Sequence, residues 1–330
     1  MRWGLIGASN IAGEWMVGAL RAVGDEAVAV VSGSAERAGE FASRFGIPHA
    51  LTREADLAAL GIDAVYVSST NDKHEASVLH AASRGWHVLC EKPLATTLVA
   101  ARRMVQACAA AGVVMGTNHH LRHNAAHRRM RELIAQGRLG QLVAARVHHA
   151  VYLRPVLQGW RIHDRAAGGG VVLDIAVHNA DSLAYLLGEY PVEVQAMVAS
   201  TGMAQGMEDH AMSLWRFPSG LTAFTHQAFT TPHARIGLEI HGTEGTLEGD
   251  GILSQRADGT LVLRTAAGTE SQELDSGNLY ERCLQQFHAA VRGEPHTLAD
   301  GRAGLRSLAV ALAVLDSAQL GRAVQVDLGD

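Results

Sequence analysis

Short apolar runs alternate with stretches of helical period through the first third of the chain. Trp3–Ile6, Ala27–Val31, Ala64–Val67, His87–Cys90 and Val113–Gly116 read as strands. Between them, Ile11–Val23, Ala35–Phe45, Glu75–Arg84 and Leu98–Ala111 carry apolar residues at helical spacing. Strand and helix in alternation imply parallel pairing, and hence a doubly wound α/β sheet. Beyond about residue 120 the pattern changes. A helix over Asn124–Gln136 leads into strand-like runs at Leu142–Val151, Val192–Ala199, His210–Phe217, Leu221–Thr230 and Ile236–Gly242. Tight turns such as Pro218-Ser219-Gly220 predict a largely antiparallel sheet there. Two helices, Leu279–Arg292 and Ala299–Leu320, close the chain, and Leu305, Leu308, Leu312 and Leu315 give the last one an apolar stripe that packs back on the body. The predicted division is therefore 1–120 for a nucleotide-binding domain and 121–330 for a substrate-binding α/β domain.

Composition narrows the functional classes. The 330 residues include 48% hydrophobic and 18% charged positions, as in a globular protein with two cores. A formal net charge of -5, without a basic run, argues against nucleic acid or an anionic membrane surface as partner. Cys90, Cys108 and Cys283 are few, odd in number and widely spaced, which suits reduced thiols and a cytoplasmic location. No signal peptide and no segment of membrane-spanning character is evident by eye.

Candidate chemistry begins at the first strand-to-helix turn. Gly7-Ala8-Ser9-Asn10-Ile11-Ala12 is a degenerate glycine-rich fingerprint, with Ser9 and Ala12 at its second and third glycine positions. These residues stay small, as required where backbone approaches a pyrophosphate and a helix packs close to a strand. After the second strand stands Ser32-Gly33-Ser34-Ala35-Glu36-Arg37. The strand tip has no carboxylate for a ribose, whereas Arg37 offers a guanidinium suited to a phosphate, which predicts NADP(H), with NAD as the second option. A polar cluster, Ser68-Ser69-Thr70-Asn71-Asp72-Lys73-His74, follows the third strand, and Ser69, Thr70, Asn71 and His74 are candidate cofactor contacts; helix capping explains Asn71 equally well. Asn118, after the last strand of this half, can hold cofactor or substrate.

Glu91-Lys92-Pro93 sits at the mouth of the fourth strand, where open sheets of this type bind ligands. A lysine there can direct its ammonium at a reacting oxygen. In the second half, Gly168-Gly169-Gly170 precedes a helix that places Asp174 and His178 four residues apart, on one face. An aspartate beside a histidine can orient the ring for general acid catalysis. A plain structural contact explains such a pair too. His119, His123 and His127 recur at four-residue steps, but no carboxylate lies among them, so no metal is expected.

Together, Gly7–Ala12, Glu91-Lys92-Pro93 and Gly168–His178 resemble the glucose–fructose oxidoreductase and inositol dehydrogenase family over nearly the whole chain. That resemblance implies a Rossmann domain followed by an α/β domain with an open sheet. It implies a reaction centre of Lys92, Asp174 and His178. It adds cofactor contacts at Gly7, Ala8, Ser9, Asn10, Ile11, Ser32, Gly33, Arg37, Glu91, Lys92, Asn118, Trp160, Arg161 and Tyr280, and substrate contacts at His149, Trp160 and Arg161. Longer strings, including Gly116–Arg122, Leu157–Arg161 and Asn278–Tyr280, resemble a subgroup that reduces a ketone of a cyclic sugar with NADPH. Asn10 and Gly13 depart from that subgroup, and Gly13, set beside the adenosine region, would shift preference toward NAD. Two other readings compete: a sugar or inositol dehydrogenase of the same family running with NAD(P), and a non-catalytic nucleotide-sensing regulator. A small-molecule sugar is the expected partner, and the resemblance is compatible with a monomer or a homo-oligomer.

Overall fold

The structure, a computed structural model, describes residues 1–329. Its contacts divide into two compact units: Met1–His119 with Tyr280–Leu305, and His120–Leu279 with the chain from Arg306 onward.

The first unit is built on six parallel strands: β1 (Arg2–Ile6), β2 (Glu26–Val31), β3 (His49–Leu51), β4 (Ala64–Val67), β5 (His87–Cys90) and β6 (Met115–Thr117). Their order is β3-β2-β1-β4-β5-β6, so the chain reverses direction across the sheet between β1 and β4. The central strands are apolar on both faces because helices cover both, and Leu5, Val30, Val65 and Leu89 are fully buried. Each such side chain stabilises the fold by roughly 1.5–3 kcal/mol. β3 was not anticipated: three residues, all at least partly exposed, give no periodic signal. A π-helical turn at Ala12–Met16 leads into α1 (Val17–Ala22), where a regular helix was expected. α2 (Ala35–Phe45) begins on Ser34, whose hydroxyl accepts from Arg37 N at 3.3 Å, and ends at left-handed Gly46. α3 (His74–Ser83) and α4 (Leu98–Ala110) follow β4 and β5.

The second unit carries a nine-stranded sheet. α5 (Ala125–Ala135), capped by Asn124 Oδ1 on Ala126 N at 2.8 Å, precedes β7 (Leu142–Ala150). α6 (Gly159–His163) follows, then a π-helical turn at Val172–Ala176 that continues as α7 (Val177–Leu187). The remaining strands are β8 (Glu193–Ala199), β9 (His210–Arg216), β10 (Thr222–Ala228), β11 (Gly237–Gly242), β12 (Gly245–Asp250), β13 (Thr260–Thr265), β14 (Gly268–Ser271) and β15 (Val324–Gln325). Their order is β14-β13-β12-β11-β7-β10-β9-β8-β15, antiparallel except where β10 lies parallel to β7. One face is buried, with Val147 and His149 of β7 beside Thr225 and Gln227 of β10; the other presents Leu214 and Met197 to solvent.

The segment after Tyr280 departs from the predicted boundary, because it groups with the first unit. α8 (Leu279–Val291) sets Phe287 against Trp3, ring centroids 5.1 Å apart, and gives His288 Nε2 to Asp25 Oδ2 at 2.8 Å. Before α9 (Gly301–Leu320), Ala299 O accepts from Thr117 N at 2.7 Å. Helical period reveals that a helix buries one face but not which body it buries that face against. α9 also corrects the expectation about membrane spans: by length and hydropathy it is long and apolar enough to cross a bilayer. It is a core helix nonetheless, with 56% of its most apolar window buried within the protein. Its Ser317 hydroxyl accepts from Ala196 N at 2.9 Å and donates to Arg322 O at 2.7 Å.

Candidate active site

In the first unit the glycine-rich turn lies where the strand order reverses. Gly7 has φ +113, and a Cβ there would stand 2.8 Å from the backbone of Ser68 and Ser69, so the ends of β1 and β4 close on each other only because no side chain intervenes. Ser9 Oγ donates to Ser68 Oγ at 2.8 Å and accepts from Ala12 N at 3.2 Å, which sets the opening of the π-helical turn. Ser69 Oγ is buried and has no hydrogen-bond partner among the described residues. A backbone cradle and an orphaned hydroxyl beside it fit a dinucleotide phosphate. Ala8, Asn10 and Ile11 complete the turn, all at least partly exposed.

Ser32 is buried at the tip of β2, Gly33 is exposed and Arg37 projects from the first turn of α2. The Arg37 side chain is exposed and enters no ion pair among the described residues, so its guanidinium is available to a phosphate. Gly13 has a packing role. A Cβ there would sit 2.6 Å from the Phe45 ring and 3.3 Å from Phe41, so the close approach of these aromatic rings accounts for the glycine.

Around Lys92 the structure is tightly bonded. The Lys92–Pro93 peptide is cis, and Lys92 itself is half-buried. Glu91 turns its carboxylate inward: Oε1 accepts from Tyr66 OH at 2.5 Å and Asn118 Nδ2 at 2.6 Å, and Oε2 from Lys92 N at 3.3 Å. Burial raises the Glu91 carboxyl above the ordinary glutamate range, against the opposing pull of these donors and of the Lys92 charge. Asn118 Oδ1 in turn accepts from Cys283 Sγ at 3.5 Å. Three strand ends and α8 thus hold the backbone that presents Lys92. His74 is fully buried, with Nδ1 facing Pro93 O at 3.1 Å and Leu94 O at 3.3 Å and Nε2 facing Ser69 O at 3.2 Å. Its ring therefore ties α3 to the residues after Lys92 rather than standing open to a ligand. Thr70 is half-buried and Asn71 buried where α3 is approached. Tyr280, fully buried, stacks on Trp15 at 5.6 Å and 14°. Tyr66 escaped the sequence reading because it lies in an apolar run that looks like plain core, and Cys283 because nothing local in its helix marks it as a donor.

In the second unit, Asp174 lies in the π-helical turn and His178 in the first turn of α7. Asp174 Oδ1 pairs with Arg161 Nε at 3.5 Å, and the Arg161 guanidinium lies 4.6 Å from the Trp160 ring centroid. Trp160, Arg161 and Asp174 therefore belong to one group. His178, buried, meets His120 edge-on at 5.1 Å and lies 6.1 Å from the His149 ring. His149 Nδ1 bonds Asn179 Oδ1 at 2.9 Å, which fixes the ring. α7 is buried all round from Val177 to Leu186. Arg122 grips Asp181 with two bonds, 2.8 and 2.6 Å. Among the described residues no group of three or more His, Cys, Asp or Glu is placed to hold a metal ion.

Two known domains match this chain. Residues 1–119 match the oxidoreductase family GFO/IDH/MocA with its NAD-binding Rossmann fold, and residues 127–248 match the GFO/IDH/MocA C-terminal domain. The chain is 51% identical over 330 residues to 1,5-anhydro-D-fructose reductase of Ensifer adhaerens, covering 99% of both. The chain belongs to the GFO/IDH/MocA family. This member is also 29% identical to D-xylose 1-dehydrogenase (NADP(+)) 2 of Haloferax volcanii, over 99% of this chain and 100% of that one. Among solved structures it resembles aldose-aldose oxidoreductase of Caulobacter crescentus complexed with glycerol, with a TM-score of 0.90 at 25% identity and 99% coverage of both chains. The GFO/IDH/MocA assignment makes the chain an oxidoreductase with an NAD(P)-binding Rossmann unit.

Proposed function

We propose that this GFO/IDH/MocA oxidoreductase reduces a ketone of a cyclic sugar with NADPH, and that 1,5-anhydro-D-fructose, giving 1,5-anhydro-D-mannitol, is its substrate. The observation that supports this most is the 51% identity, over the whole chain, to the Ensifer adhaerens reductase. The glycine-rich turn Gly7–Ile11, with Ser32, Gly33, Ser69 and Thr70, holds the dinucleotide, and Arg37 takes the phosphate that distinguishes NADP from NAD. When bound, the nicotinamide supplies the hydride.

The chain's own residues do the rest. Lys92 directs its ammonium at the ketone oxygen and stabilises the negative charge that develops there. His178 and Lys92 are the two candidates for the proton donor, and Asp174, paired with Arg161, holds the substrate hydroxyls. His149 and Trp160 line the sugar side. Three buried cysteines that form no disulfide among the described residues support a reducing, cytoplasmic compartment.

A panel of keto sugars and polyols, assayed with NADPH and NADH in both directions, tests the reading. Fast NADPH consumption with 1,5-anhydro-D-fructose is the expected result. Faster NAD-linked oxidation of a polyol than any reduction would favour the dehydrogenase reading and overturn this one.

A further inference from the structure

The helix that carries Asp174 and His178 begins against one carboxylate from a distant loop. Glu208, 5% exposed, lies between β8 and β9 in sequence. Its main-chain oxygen accepts from Val171 N at 3.1 Å, and its Oε1 accepts from Val172 N at 3.3 Å. A helix N-terminus leaves its first N–H groups without intrahelical partners, and Glu208 supplies two of those partners. Gly170, at φ +108, packs so closely on the Glu208 carboxylate that a Cβ would not fit between them.

The loop bearing Glu208 is itself fixed. Asp209 accepts from Thr201 N at 2.7 Å, Met203 N at 2.9 Å and Ala204 N at 3.0 Å. It also reaches the segment before the triple glycine: Gln205 N donates to Ile162 O at 2.9 Å, and Arg165 Nη2 to Gly206 O at 2.9 Å. Arg165 Nη2 stands 3.8 Å from Glu208 Oε2 as well. The same loop therefore braces both partners of the Arg161–Asp174 pair, Arg161 through Ile162 and Asp174 through Val172.

We infer that Glu208 is a positioning residue, which sets the placement of Asp174 and His178 by holding the first turn of their helix. This rests on the roles proposed for Asp174 and His178 above. A negative group at a helix N-terminus is favoured by the helix dipole, so the contact can be strong although it is a single side chain. A misplacement of the order of 1 Å at a reacting group costs turnover more than it costs binding.

The test compares Glu208→Ala, Glu208→Gln, Glu208→Asp and His178→Ala for kcat, for KM of NADPH, and for melting temperature by circular dichroism, with 1,5-anhydro-D-fructose as substrate. Glu208→Ala is expected to lose kcat about tenfold or more with KM for NADPH within about twofold. Glu208→Gln, whose amide oxygen still accepts from Val172 N, is expected to recover kcat to within about threefold of the wild type. If Glu208→Ala does not fold, Glu208→Asp decides: one methylene short, it should turn over far more slowly than Glu208→Gln. Wild-type kcat in Glu208→Ala or Glu208→Asp, or a Glu208→Gln no better than Glu208→Ala, overturns the inference. If His178→Ala keeps wild-type turnover, the underlying reading has failed instead; its loss beside an unimpaired Glu208→Ala sinks the positioning role alone.

Discussion

Asn118 Nδ2 donates to Glu91 Oε1 at 2.6 Å, and that bond links the end of β6 to the end of β5 directly before Lys92. Tyr66 reaches the same oxygen from β4. Removing Asn118 leaves a buried carboxylate short of a donor, which costs about 1–3 kcal/mol. Asn118→Ala should therefore lower the denaturant midpoint and reduce kcat together, as measured by urea unfolding and steady-state assay. A variant stable and active as the wild type would deny this bond a part in holding Lys92.

Glu91 also makes stability depend on pH in a stated direction. Burial raises its carboxyl in the folded state, so folding favours the protonated form. Its contribution is present in full below the ordinary glutamate range and is lost as pH rises through the raised value. Glu91→Gln cannot ionise and should flatten that limb in a series of melts across acid to neutral pH.

His127 works in the opposite sense. It is fully buried, both ring nitrogens lack hydrogen-bond partners among the described residues, and burial lowers its pKa from 6.5 to about 4. The folded state holds the neutral ring, so the unfolded chain binds the extra proton between those values. Stability present above 6.5 is lost as pH falls through about 4, by about 3 kcal/mol in total. His127→Leu should lose less stability than the wild type between pH 7 and pH 4, read as the change in melting temperature.

Gly13 and Arg37 separate packing from cofactor choice. Gly13→Ala drives a methyl toward the Phe45 ring, 2.6 Å away, and should cost about 1–3 kcal/mol while leaving the ratio of NADPH to NADH rates unchanged. Arg37→Ala should do the reverse, lowering that ratio about tenfold or more through KM for NADPH with little change in melting temperature.

Much of this was legible in the sequence where period and punctuation are strong. The parallel strands β1, β2, β4 and β5 fall on their apolar runs, and α2 spans Ala35–Phe45 as its pattern predicts. The glycine-rich turn was legible because small residues between a strand and a helix have few other uses. What escaped depended on distance along the chain. The Glu91 network joins residues from Tyr66 to Cys283, and nothing local marks a tyrosine inside an apolar strand as a donor. The edge strands β14 and β15 are short and largely exposed, so apolar period does not mark them. The π-helical turns at Ala12–Met16 and Val172–Ala176 change hydrogen-bond partners without changing apolar period, and periodicity cannot report them.

The central claim is that Lys92 and His178 serve one reduction, and the direct measurement is single-turnover oxidation of bound NADPH by 1,5-anhydro-D-fructose in the wild type, Lys92→Ala and His178→Ala. The account predicts that each variant slows this step by about a hundredfold or more while binding NADPH within a few-fold of the wild type. Oxidation at the wild-type rate in both variants would contradict it.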